Sequence, residues 1–267
     1  YCMAKTLVPR KCPLCSKSMT MIGVGSQRLE EELAKKLPDA RIARVDSDAM
    51  AGKAAGYYKL LGDFAAGRID ILAGTQMLAK GLHFPNVTLV GVISADTALS
   101  LPDFRANERT FQLLSQVAGR AGRSEKGGEV IVQTFLTGQP AIDFALKHDY
   151  EGFVAEEMGH RRKCNLPPCG KMAIVRLKDG NYDKLTAASE AMRAMIDDVA
   201  DYKGLKLTVR GPMEAAINRI GGFHRMQIIV QADDVRPIQE LFAAIRTGAS
   251  VRPAVTIGVD VDPVNLM

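Results

Sequence analysis

The 267-residue sequence predicts an α/β protein in two parts, a parallel-sheet domain followed by a smaller α+β module. Three observations carry this. Short β-rich runs alternate with helix-patterned runs through the first 160 or so residues, which implies a parallel sheet with right-handed crossovers. A double-proline breaker, "NLPPCGK" with Pro167 and Pro168, interrupts the pattern. Beyond it the order reads β-α-β-β-α-β, the split-βαβ or ferredoxin-like arrangement. The expected domains are 1–21, 22–163 and 164–267.

The first helix is expected over "SQRLEEELAKKL", where Leu29, Leu33 and Leu37 recur at spacing four. Ser26 stands as its N-cap and Glu30 to Glu32 lie in its first turns. "RIARVDSD" reads as a strand and "AAGYYKLLGDFAAG" as a helix. The apolar runs "IDILAGTQ" and "VTLVGVISAD" read as buried strands. A long helix is expected from about Arg105 into "QVAGRAGR", then the strand "GEVIVQTF", then one or two helices over "PAIDFALKHDYEGFVAEEMGHRRK".

In the second module "MAIVRLK" is a strand and "NYDKLTAASEAMRAMIDDVADY" a long helix. "LKLTVRGP" and "HRMQIIVQ" are strands joined across "RIGGF". "DVRPIQELFAAIR" is a helix and "VTIGVDVD" the last strand.

Composition is that of an ordinary globular protein, 47% hydrophobic and 24% charged. The net charge of +5 permits an anionic partner without demanding one. No apolar run reaches the roughly 18 residues of a membrane span, so no membrane partner is expected. The chain opens on Tyr1 rather than methionine and reads as a piece of something longer.

Five cysteines, an odd number with no signal peptide, argue against a disulfide scaffold. Cys12 and Cys15 in "KCPLCSK" have the spacing of a zinc knuckle, with Cys2 ten residues before. A closed site needs four ligands and only three candidates lie near. An incomplete zinc module and ordinary thiols both remain open. Cys164 and Cys169 are spaced wrongly for a knuckle.

Chemistry concentrates in three stretches. In "QVAGRAGR" a continuing helix would put Gln116, Arg120 and Arg123 at i, i+4 and i+7 on one face. Gly119 and Gly122 remove bulk, and guanidinium groups suit charge developing on phosphoryl oxygens. In "DILAGTQMLAKGLHFPNV" Thr75 ends a strand, where an α/β sheet places ligand contacts, and Lys80, Gly81 and His83 follow. Thr75 also suits a helix N-cap, and His83 a buried hydrogen-bonded position. In "SADTALSLPDFRANERTFQLL" Asp96 sits just past a strand end, and Asp103 before a helix is most simply a cap. No G-x-x-x-x-G-K-[ST] and no D-E-x-[DH] occurs, so the chain carries neither half of a triphosphate–magnesium cradle. No carboxylate or histidine cluster suggests a nuclease or zinc hydrolase.

The order of "GTQMLAKG", "SAD" and "QVAGRAGR" resembles motifs V and VI in the second RecA-like lobe of superfamily-2 helicases. Together with "LPPCGKMAIVRL", "RGPMEAAINRIGGFHRMQIIV" and "DVDPVNLM" it is similar, over essentially the whole chain, to the primosomal replication-restart helicases of bacteria. The resemblance implies a 3′→5′ DNA helicase that uses ATP with Mg2+, held mostly by a first lobe outside this chain. It recognises stalled or branched forks and starts primosome assembly.

By position, Arg120 and Arg123, with Gln116 nearby, would serve catalysis at the γ-phosphate. Gly81 and His83 would lie at the nucleotide; Thr75, Lys80 and Arg225 would contact DNA. Arg236 and Gln239 would meet the acidic tail of single-stranded-DNA-binding protein. Other primosome proteins are further implied partners. Cys2, Cys12 and Cys15 would be three of the Zn2+ ligands of the full-length protein, an incomplete set here. The isolated chain is expected to be inactive as an ATPase, and the parent protein to be cytoplasmic and nucleoid-associated. The family commonly shows an acid where Gln27 stands, and an aromatic where Cys169 stands.

Overall fold

A computed structural model describes residues 11, 16–18, 25–45, 54–75, 84–119, 128–248 and 255–266. The chain forms two compact units. One is formed by described residues within Arg10–Ser100 and Asn107–Phe153, the other by described residues within Leu101–Ala106 and Val154–Met267.

The first unit is α/β. In order it holds α1 (Ser26–Lys36), β1 (Ile42–Val45), α2 (Ala54–Ala65), β2 (Ile71–Gly74), β3 (Leu89–Val92), α3 (Asp96–Leu99), most of α4 (Ala106–Ala118), β4 (Glu129–Val132) and α5 (Pro140–Leu146). Among the described residues the strands form two parallel pairs, β1 with β2 and β3 with β4. Parallel pairing is what alternating helices and strands require. The Arg41 guanidinium grips Asp70 through both carboxylate oxygens, at 2.6 and 2.8 Å, where β1 and β2 begin. That contact holds the Asp70 carboxyl at a pKa of about 2. Phe111 of α4 stacks on Phe153 at 4.2 Å between centroids, and Ala141, Ile142 and Ala145 of α5 are buried.

Three local expectations need correction. The helix α1 starts at Ser26, so Gly25 occupies the N-cap position and no side chain caps the helix there. The continuous apolar run through β3 predicted burial on both faces. Instead exposure alternates, with Leu89 56% and Ile131 54% exposed on one side of the β3–β4 pair. Apolar composition alone does not distinguish a two-sided strand from a one-sided one. The β2 strand is likewise only half-buried apart from Ala73.

The second unit contains α6 (Tyr150–Lys163, from Val154 onward), β5 (Lys171–Asp179), α7 (Tyr182–Lys203), β6 (Thr208–Ile220), β7 (Phe223–Ala232), α8 (Val235–Gly248) and β8 (Thr256–Val261). The four strands make one antiparallel sheet in the order β6-β7-β5-β8. Strand periodicity sends Ala173, Val175 and Leu177 of β5, and Met226, Ile228 and Val230 of β7, to one face. There they pack with Leu185 and Ile196 of α7 and Ile238 and Leu241 of α8 as a single core.

The helix α7 is well delimited. Asn181 caps it by accepting from the Lys184 amide at 2.9 Å. Gly204 ends it in the left-handed conformation at φ +61°, and Leu205 N–H returns to Ala200 O at 2.8 Å. The strand β6 runs much farther than "LKLTVRGP" suggested. Gly211-Pro212 interrupts its register without ending it, because bulges absorb the missing proline donor. Gly221 and Gly222, at φ +57° and +87°, then make the tight turn into β7.

Candidate functional site

In the first unit β2 runs parallel to β1 and delivers Thr75, exposed, to its carboxyl end. The register pairs Val45 with Gly74, so both strands finish at the same level. Lys80, Gly81 and His83 lie outside the described residues. The helix α4 carries Gln116 exposed near its end, and Gly119 N–H still bonds Ser115 O at 3.1 Å. Arg120 and Arg123 also lie outside the described residues. The face predicted for Gln116, Arg120 and Arg123 is therefore seen only at its first member.

Asp96 organises the carboxyl ends of β3 and β4. It is buried, 2% exposed, at the first position of α3. Its Oδ1 accepts from the Thr134 hydroxyl at 2.6 Å and the Leu136 amide at 3.1 Å, and its Oδ2 from the Phe135 amide at 2.9 Å. These donors hold the carboxyl below its ordinary range, the Thr134 hydroxyl first; desolvation opposes them. Asp96 is thus a latch between the two strand exits. Sequence reading singled it out by its place past a strand end, and the structure supplies the partner.

Asp103, expected as a helix cap, stands three residues before α4 and closes the turn that leads into it. Its Oδ1 accepts from the Arg105 amide at 2.9 Å, one residue before α4, and its Oδ2 accepts from Leu266 N–H at 3.3 Å.

Cys2, Cys12 and Cys15 lie outside the described residues, although Lys11 and Ser18 on either side of the C-x-x-C form an antiparallel bridge. Cys164 and Cys169 are free thiols, and His160 Nε2 stands 4.0 Å from Cys164 Sγ. Among the described residues no three histidine, cysteine or acidic side chains converge as a metal site. No described helix is long and apolar enough to cross a membrane.

In the second unit Arg225 is half-buried on β7, its Nη1 donating to Ile217 O at 3.3 Å. Arg236 and Gln239 are exposed at i and i+3 near the start of α8. Asp234 accepts from the Arg236 amide at 3.1 Å and so occupies that helix start with its own carboxylate. Sequence reading passed over Lys178 and Phe223, which share a sheet face with Arg225. Alternation was the available signal: Lys178 lies two residues after Arg176, and Phe223 two residues before Arg225.

Two families match this chain. The helicase conserved C-terminal domain matches residues 14–125, and the primosomal protein N C-terminal domain matches residues 162–264. The chain is 45% identical over 232 residues to the replication restart protein PriA of Bacillus subtilis, covering 86% of this chain and 28% of that protein. It is 36% identical over 267 residues to the protein of that name from Synechocystis, covering 100% of this chain and 31% of the relative. It is 37% identical over 268 residues to that of Treponema pallidum, covering 100% and 40%. The chain spans well under half the length of each of these relatives.

Proposed function

From a chain that belongs to the replication restart protein PriA family and matches its C-terminal part, we propose the second RecA-like lobe and DNA-binding C-terminal domain of an ATP-dependent 3′→5′ DNA helicase. The whole protein would recognise stalled or branched forks and initiate primosome assembly. One observation carries the reading: a helicase C-terminal domain and a primosomal protein N C-terminal domain follow one another in this chain. The motif pair "GTQMLAKG" and "QVAGRAGR" falls inside the first of them.

Arg120 and Arg123 act at the γ-phosphate, with Gln116 beside them, and Gly81 and His83 approach the nucleotide. Their electrostatic contribution follows from guanidinium chemistry: fixed positive charge stabilises the charge spread over transferring phosphoryl oxygens. ATP and Mg2+ are cradled mostly by a first lobe outside these 267 residues. Thr75, Lys80 and Arg225 contact DNA. Arg236 and Gln239 receive the acidic tail of single-stranded-DNA-binding protein, and other primosome proteins dock on the whole assembly in the bacterial cytoplasm. Cys2, Cys12 and Cys15 belong to a Zn2+ site that these residues alone leave short of four ligands.

The strand order β6-β7-β5-β8, with a helix after β5 and another after β7, supports reading the C-terminal domain as ferredoxin-like.

The test uses the full-length protein. Arg123→Ala should abolish DNA-stimulated ATPase while fork binding stays near normal; surviving ATPase would rule out the arginine's role. The 267-residue chain alone should turn over no ATP and hold no stoichiometric zinc, both measurable on pure protein.

A further inference from the structure

We propose that the open end of the sheet face carrying Lys178, Arg225 and Phe223 is a docking platform for single-stranded nucleic acid. Phosphates sit on the two cations and a base stacks on the phenyl ring. The proposal rests on the DNA-binding reading above and gives that binding a location.

Strand alternation sets the surface. Val175 and Leu177 of β5 and Met226 and Ile228 of β7 enter the core beneath α7 and α8. Arg176 and Lys178, and Phe223, Arg225 and Gln227, must then point to the opposite face. The antiparallel register places Lys178 directly opposite Arg225. Directly opposed residues have Cβ atoms about 4.5–5.5 Å apart, and like charges there destabilise a sheet.

Neither cation forms an ion pair among the described residues. The nearby acids are engaged elsewhere: Asp179 with Lys184, Asp260 with Arg176, and Glu214 with Tyr182 and Asn218. Among the described residues these two adjacent positive charges therefore have no counter-charge, a cost that an external anion would relieve.

The aromatic partner is in place. Phe223 follows the two-glycine turn and is 49% exposed, with Lys178 Nζ over one face of its ring at 5.8 Å from the centroid. Arg225 is anchored through its bond to Ile217 O, so its guanidinium is held rather than free to fold away. Arg210 pairs with Ile229 on the same face, four residues along β7 from Arg225 or roughly 13 Å. It is exposed, beyond the buried Gln227. A ligand with negative charge at intervals and a flat, accessible π surface uses both features; this is the chemistry of single strands on sheet platforms. An acidic peptide would use the cations and leave the ring unemployed. A duplex keeps its bases stacked within itself.

The test is fluorescence anisotropy of a labelled oligothymidylate titrated with the 267-residue chain, across a salt series. The wild type should bind, with affinity falling linearly in log–log salt. Lys178→Ala should reduce that slope by about 0.7. Phe223→Ala should weaken binding roughly ten-fold and leave the slope unchanged. Lys178→Glu gains an ionic partner in Arg225 and should raise the melting temperature by a few degrees while weakening binding.

That opposed response of stability and binding is one a merely structural lysine does not produce. A Lys203→Ala control on α7 should bind as the wild type does. If the wild type binds and the three platform variants bind equally well, the platform is wrong and the DNA-binding reading stands. If the wild type binds no oligonucleotide, both fall. If an aspartate-rich peptide binds in its place, through Lys178 and independently of Phe223, the surface is an acidic-peptide site and the proposal is overturned.

Discussion

The Asp96 carboxylate, 2% exposed, accepts the Thr134 hydroxyl at 2.6 Å across 38 residues of sequence. With the amides of Phe135 and Leu136 it closes the exits of β3 and β4 together. Its depressed pKa makes stability depend on pH with a definite sign. The contribution is fully present above the unfolded value near 3.8 and is lost as pH falls through the lower folded value. Asp96→Asn should therefore cost about 2 kcal/mol at neutral pH, since bonds to a charged acceptor are lost or inverted. Melting curves of both proteins should converge as pH drops below about 3.8. A gap that stays constant with pH would show that the latch does not depend on charge.

The Arg161 guanidinium lies in a buried pair. Its Nε donates to Glu157 at 2.8 Å, its Nη1 to Pro167 O at 3.1 Å, and its carbon centre stands 5.5 Å from the Phe104 ring centroid. Both paired side chains are 8% exposed. Arg161→Met, which removes this partner from the buried glutamate, should cost about 3–5 kcal/mol in urea unfolding. The double variant Glu157→Leu with Arg161→Met should recover most of that loss, because both buried charges of the pair are then removed together.

Gly211 is required by backbone geometry. Its φ is +99°, and a Cβ built there would lie 2.7 Å from the Gln227 carbonyl oxygen. The obstacle is backbone of the neighbouring strand and cannot swing aside. Gly211→Ala should destabilise the chain by about 2 kcal/mol or more. Gly258→Ala, whose Cβ would meet nothing within 4 Å, should change the melting temperature little.

Gln227 is 7% exposed, and its Oε1 is buried with no hydrogen-bond partner among the described residues. A buried acceptor left unpaired costs the desolvation of that group. Gln227→Met should accordingly be neutral or stabilising by about 1 kcal/mol, read from the denaturant midpoint at unchanged slope.

Much of the fold was legible from pattern. Asn181 and Gly204 bound α7 as cap and stop signals, and Gly221-Gly222 sits in "RIGGF", where the two strands were expected to join. The α5–α6 break at Lys147–Asp149 was less legible, because helical composition continues across it. The length of β6 was hidden by Gly211-Pro212, which reads as a terminator and acts as a bulge. At the candidate site, Thr75 and Asp96 announced themselves by standing at strand ends. Phe223 and Lys178 did not, because a strand's two faces are equivalent until packing buries one of them.

The sequence by itself determined the two-part α/β then α+β order and the motif pair "GTQMLAKG" and "QVAGRAGR". Those features depend on local periodicity and on residue types at fixed spacing, which survive without coordinates. Only the tertiary structure decided that Asp96 is a latch for Thr134, that Gly211 lies against the Gln227 backbone, and that Lys178 faces Arg225. Each of these joins residues separated by 16 to 47 positions. Such pairings are set by strand register and helix cover, which propensity and spacing do not encode.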